Sequence, residues 1–121
     1  ANLSYANFAG ANISASNLSY ANLFDSNLEN TSLAFSTFKG ANLSLSNIKN
    51  ANMFNADFSD ADLSELENWS DAFWLASTYT ANTIFPDGMD PYDYGMVEIE
   101  IPTPGVLYIA WITLFNRNRR K

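Results

Sequence analysis

The chain has neither cysteine nor histidine anywhere in its 121 residues. Without cysteine there can be no disulfide, no thiolate ligand and no thiol nucleophile. Without histidine the commonest general base and the commonest metal ligand are missing together. Catalysis would have to be assembled from carboxylates, Ser, Tyr or Lys, so no enzyme activity, metal or cofactor is expected. Positive charge is also scarce outside the last few residues. Arg117, Arg119, Arg120 and Lys121 are four of the six basic residues, and residues 1–115 carry only Lys39 and Lys49 against thirteen acids, a net of −11 (2 − 13). Such a body argues against nucleic acid lying along it. The chain opens on Ala1 rather than Met, which reads as a processed product whose signal peptide would lie upstream. What is present is apolar material, 47% of the residues, enough for one domain with a core.

Residues 1–65 repeat every five positions without a break: ANLSY, ANFAG, ANISA, SNLSY, ANLFD, SNLEN, TSLAF, STFKG, ANLSL, SNIKN, ANMFN, ADFSD, ADLSE. The third position is always apolar: Leu3, Phe8, Ile13, Leu18, Leu23, Leu28, Leu33, Phe38, Leu43, Ile48, Met53, Phe58 and Leu63. The first is always small, and the second is Asn or Asp except at Ser32 and Thr37. Positions four and five vary freely. A helix needs spacings near 3.6 and a strand needs 2, and five drifts around both. A chain that turns a corner every five residues keeps the third position inward on every side. Four sides make a coil of twenty residues, with coils stacked at about 4.8 Å. Leu3, Leu23, Leu43 and Leu63, each twenty apart, should then share a face, as should Phe38 and Phe58. The Asn column should lie outside the interior, bonding to turns and to the Asn above and below.

This A(N/D)LXX pattern resembles the pentapeptide-repeat family. The resemblance implies an all-β fold, a right-handed quadrilateral parallel β-helix.

After Glu65 the period slips by one residue. Trp69, Trp74, Tyr79 and Ile84 are again five apart but out of phase with Leu63. Residues 66–68 read as an inserted bulge, and 66–86 as a register-shifted aromatic coil that caps the open end. The turn Pro86-Asp87-Gly88 should end the solenoid. Asp87, Asp90 and Asp93 are spaced by three, yet no EF-hand pattern is present, so 87–100 reads as a solvated acidic linker.

Residues 101–121 open with Ile-Pro102-Thr103-Pro104, continue as an apolar run over 105–115, and close on the basic cluster. Eleven residues span ~16 Å as a helix, about half a bilayer core, and the basic residues behind it match a stop at a cytoplasmic face. The order Pro-x-Pro, short apolar helix and terminal arginines resembles the PEP-CTERM sorting signal of Gram-negative bacteria, with Thr103 where Glu is usual. The segment 79–88 looks like the stretch that often precedes such tails. The resemblance implies recognition by an exosortase, transient residence in the inner membrane, and export to the cell surface or matrix. The competing reading of the tail is a helix docked on the solenoid or on a partner.

Two functions follow as expectations. The first is an exported scaffold or interaction protein without chemistry, acting on protein partners or on itself. The second is an acidic duplex mimic, as in members of the family that bind DNA gyrase and dimerise through a C-terminal helix. Exposed Tyr5, Tyr20, Phe24, Phe35 and Phe54 form a candidate interaction strip, since Tyr5 and Phe24, and likewise Phe35 and Phe54, are nineteen apart and so near neighbours across coils.

Overall fold

The computed structural model describes residues 1–100; the sorting motif, the apolar helix and the basic cluster read from the sequence lie outside them. Within 1–100 the chain winds as a four-sided solenoid. Parallel bridges link second-position residues twenty apart along each side: Asn2, Asn22, Asn42 and Asp62 on side one; Asn7, Asn27, Asn47 and Glu67 on side two; Asn12, Ser32 and Asn52 on side three; Asn17, Thr37 and Asp57 on side four.

Each position of the repeat has its own hydrogen-bonding task. The third-position N–H donates to the second-position carbonyl of the following coil, as from Leu23 to Asn42 at 2.7 Å, and the second-position N–H donates back to the first-position carbonyl before it, as from Asn42 to Ala21 at 3.0 Å. The fifth-position N–H reaches the fourth-position carbonyl of the next coil, as from Phe35 to Phe54 at 2.9 Å. The first-position N–H closes a turn on the preceding third-position carbonyl, as from Ala41 to Phe38 at 2.9 Å. The fourth-position N–H is left over. It is taken by the side-chain oxygen of the second position, as from Phe24 to Asn22 Oδ1 at 3.1 Å and from Ser59 to Asp57 Oδ1 at 2.9 Å. This Asx-turn accounts for the Asn/Asp column: a short side chain ending in an acceptor can serve its own turn. The expected Asn-to-Asn ladder does not form along the repeats; only Asn68 reaches across, to Asn47 Oδ1 at 2.8 Å.

The turns also constrain position five, which the sequence leaves looking free. All thirteen residues there have positive φ, from 53° at Asp25 to 73° at Gly10. The bond from first to third position with a left-handed residue at the third place of the turn defines type II geometry. Only Gly10 and Gly40 adopt it without a Cβ penalty, and Asn30, Asn50 and Asn55 at small cost; Tyr5, Tyr20, Phe35, Leu45 and Glu65 are held there by the stacked coils.

The interior is a column of third-position side chains. Leu23, Leu28, Leu33, Phe38, Leu43, Ile48, Met53, Phe58 and Leu63 are buried, and Leu3, Phe8, Ile13 and Leu18 of the first coil are half-buried against them. Phe38 and Phe58 stack with ring centroids 5.1 Å apart and planes 7° from parallel. Small first positions line the same interior; the hydroxyls of Thr31, Ser36 and Ser46 donate to backbone carbonyls, Ser46 Oγ to Leu23 O at 2.6 Å, and Ser26 Oγ pairs with Ser46 Oγ at 3.0 Å. Every buried side-chain polar atom among the described residues is hydrogen-bonded, as the cost of an unpaired buried group requires.

Three sequence expectations for the far end need correction. First, residues 66–68 are not the bulge. Leu66 is buried and Glu67 still bridges Asn47 twenty residues back; the extra residue enters in the 3₁₀ turn Trp69–Asp71, after which the spacing along sides three and four is twenty-one, Asn52 to Phe73 and Asp57 to Thr78. Second, Ile84 is not inward. A further insertion near Thr80 makes the side-one spacing twenty-two, Asp62 to Ile84, so Ile84 takes the outward bridging place and Phe85 turns in. Thr80 and Thr83 stabilise this insertion, Thr80 through Asp60 Oδ1 at 2.8 Å and Thr83 through Phe58 O at 2.8 Å. Third, 87–100 is not a solvated linker and the solenoid does not end at Pro86. Met89 and Met96 are buried in the core cluster, Tyr94 packs edge-on against Trp69 at 5.7 Å, and Val97–Glu98 pairs in parallel with Thr78–Tyr79. The segment 86–95, including the 3₁₀ helix Pro91–Tyr94, crosses the end of the stack and covers the last core layer. Apolar methionines placed between acids made this possible, while the acids stayed in solvent. Within the aromatic coil, Trp74 is buried against Phe58 at 5.3 Å, and its indole N–H donates to Trp69 O at 2.8 Å.

Candidate interaction surface

With the interior filled by structural side chains, recognition falls to the outer wall, and above all to the corners made by positions four and five. The four corners differ in charge. The corner between sides one and two carries Asp25 and Glu65; that between two and three carries Glu29 and Lys49; that between four and one carries Lys39 and Asp60. The corner between three and four is built from Ser14, Ala15, Ala34, Phe35, Phe54, Asn55, Leu75 and Ala76, and has no charged residue in any coil.

The five aromatics read from the sequence as one strip stand on three separate corners. Tyr5 and Phe24 meet edge-to-face at 5.9 Å between sides one and two. Tyr20 lies between sides four and one, its ring draped over Gly40, where an added Cβ would sit 2.5 Å from the ring carbons. Phe35 and Phe54 meet edge-to-face at 5.4 Å between sides three and four. The nineteen-residue spacing pairs rings because a fifth-position residue sits over the fourth-position residue of the next coil. It does not join pairs around the wall, since moving by five residues changes corner.

At the uncharged corner the structure adds members that the repeat pattern does not show. Phe73 stacks on Phe54 at 6.2 Å, and Leu75 follows it. Phe35, Phe73 and Leu75 are 59%, 51% and 48% exposed, and Phe54 is half-buried between its neighbours. Phe73 occupies a second-position place, where Asn is usual, because the slip in the Trp69–Asp71 turn carried an aromatic into that column. Only the new register, twenty-one rather than twenty, reveals this.

Acidic groups do not gather on one side. They occupy three corners as well as sides one, two and four, through Asp62, Glu67 and Asp57. Asp90 accepts the Tyr92 N–H at 3.0 Å and so caps the 3₁₀ helix. Among the described residues no three acids converge as metal ligands would. The phenol of Tyr79 is raised above its usual value by burial first, then by the carboxylates of Glu98 and Asp90.

Comparison with known proteins agrees with this geometry. The family model of pentapeptide repeats matches residues 1–30 and 26–64, in eight copies. No curated protein sequence matches the chain. Among solved structures, HetL of the cyanobacterium Nostoc sp. strain PCC 7120, a pentapeptide repeat protein involved in heterocyst differentiation regulation, aligns with a TM-score of 0.56 at 20% identity, over 79% of this chain and 50% of that one. The pentapeptide repeat proteins alr5209 of Nostoc PCC 7120 and Rfr23 of Cyanothece 51142 align at 19% and 29% identity, with TM-scores of 0.44 and 0.41; the aligned region covers 81% and 69% of this chain and 84% and 63% of theirs. The likeness to HetL shows the fold, a right-handed β-helix, and this chain spans half of HetL's length. Repeat, corner geometry and family model together place the chain in the pentapeptide repeat family.

Proposed function

We propose that the chain is a non-catalytic scaffold that offers its outer wall to protein partners and is delivered to the cell surface by its C-terminal tail. The scaffold part has the broader support, because family members are typically structural or interaction proteins. The observation that carries the reading is the division of labour within the repeat. Positions one to three are consumed by the core and the backbone ladder, leaving only the corners to recognise anything. Delivery rests on the order Pro102-Thr103-Pro104, an apolar run and Arg117, Arg119, Arg120 and Lys121, and implies an exosortase-like processing enzyme and passage through the inner membrane. The duplex-mimic alternative draws less support, because the acids are spread around the solenoid rather than aligned along one side.

Localisation of the chain with and without residues 101–121, in a host that processes such tails, tests the reading. Export that depends on the tail supports it. If both forms stay in the cytoplasm, the delivery half is wrong, and a docked C-terminal segment gains.

A further inference from the structure

We infer that the uncharged corner is a self-association ridge, on which a second copy of this chain docks through Phe35, Phe54, Phe73 and Leu75. The inference deepens the scaffold reading by naming a partner, and does not depend on the delivery half.

Three observations carry it. The first is electrostatic. Residues 1–115 hold a net charge of −11 (2 − 13), so two copies repel over most of their surfaces. This corner alone carries no charged residue in any coil, and is therefore where they can meet without burying carboxylates.

The second is the conformation of Phe35. It sits at φ 61°, where Gly or Asn would be less strained, yet it holds a ring that is 59% exposed. Phe73 similarly displaces the Asn that would bond the fourth-position N–H. Two places where Asn would ease the backbone hold exposed phenylalanines on one ridge, and their pairing with Phe54 leaves the outer faces of both rings open to a partner.

The third is periodicity. The rings recur once per coil, with centroids 5.4 Å and 6.2 Å apart. An identical ridge has the same spacing, so its rings can interdigitate along the whole length. A twofold arrangement then buries the same patch from both copies.

The test uses the full chain in sedimentation velocity over a wide concentration range, at low and high salt. The native chain should form dimers that tighten as salt rises, because screening removes repulsion while apolar contact persists. Phe35→Asn and Phe73→Asn each return to the fold a residue its backbone accepts, which offsets the lost pairing with Phe54, so both should leave the monomer folded while weakening association roughly tenfold or more. Tyr5→Asn and Tyr20→Asn, on other corners, should leave association unchanged. A native chain that stays monomeric throughout overturns the inference and leaves the ridge to a different partner, such as a sugar. Dimers that survive Phe35→Asn with Phe73→Asn, or that weaken as salt rises, also overturn it, pointing respectively to another surface, the tail included, and to charge pairing. Neither result bears on localisation, so the two proposals fail separately.

Discussion

Gly10 and Gly40 occupy the same place in their repeats, with φ of 73° and 66°, but differ in what lies outside them. A Cβ added at Gly10 meets nothing within 4 Å, whereas at Gly40 it falls 2.5 Å from two ring carbons of Tyr20. Gly10→Ala therefore isolates the backbone term, the left-handed conformation imposed on an L-residue, about 1–2 kcal/mol. Gly40→Ala adds the displacement of an aromatic ring, for which overpacking costs ~1–3 kcal/mol. Because Tyr20 is 70% exposed and can swing outward, the extra cost belongs near the low end, about 1 kcal/mol. For a domain near 100 residues, each kcal/mol shifts the thermal midpoint by ~4–8 °C, so the two variants should be clearly separated. In a Tyr20→Ala background the cost of Gly40→Ala should fall to that of Gly10→Ala, and a double-mutant cycle by guanidinium denaturation reads the difference directly. Equal costs for the two alanines, or no change on removing Tyr20, would show that the ring does not press on Gly40. Alanines that cost nothing at either site would refute the type II assignment itself.

Three further expectations rest on other parts of the repeat. Asn27→Ala removes the Oδ1 that accepts the Glu29 N–H at 3.0 Å and should cost about 1 kcal/mol, whereas Asn27→Asp should be tolerated, as Asp57 and Asp62 make the same bond; equal losses in chemical denaturation would contradict the Asx-turn's role. Leu43→Ala opens a hole between Leu23 and Leu63 and should cost ~2–5 kcal/mol, while Leu3→Ala in the half-buried first coil should cost less, a ranking that calorimetry can reverse. Tyr79, raised by burial and by Glu98 and Asp90, keeps its proton in the fold beyond the pH of ~10 at which it ionises in the unfolded chain. Its contribution is therefore complete below that pH and is lost as pH rises through the folded value. Tyr79→Phe should flatten the alkaline limb of stability against pH, and an unchanged limb would contradict this.

The sequence by itself determined the five-residue side, the twenty-residue coil and the part of the core that the repeats supply. A five-residue apolar period admits no helix or strand, and its interior column is a single unbroken series from Leu3 to Leu63. The absence of His and Cys removes imidazole and thiol chemistry whatever shape the chain adopts. Position five looked free because its constraint is a backbone dihedral: Gly, Asn or Asp stands at seven of its thirteen places, but Tyr, Phe, Leu and Glu, held in the same conformation by the stacked coils, mask that signature.

Tertiary structure alone decided three matters. It decided where the register slips, because insertions in the Trp69–Asp71 turn and near Thr80 are absorbed wherever the ladder can best close, not where the period first breaks. It decided that the acid-rich segment covers the solenoid end, because Met89 and Met96 are too sparse to form a pattern and acquire meaning only opposite an exposed core layer. And it decided which aromatics share an edge. Spacing in sequence pairs a ring with the next coil, but which corner a pair occupies, and which corners are charged, depends on how the coils stack. The interaction strip therefore divided into three, and only the Phe35 corner gained the neighbours and the neutrality of a docking ridge.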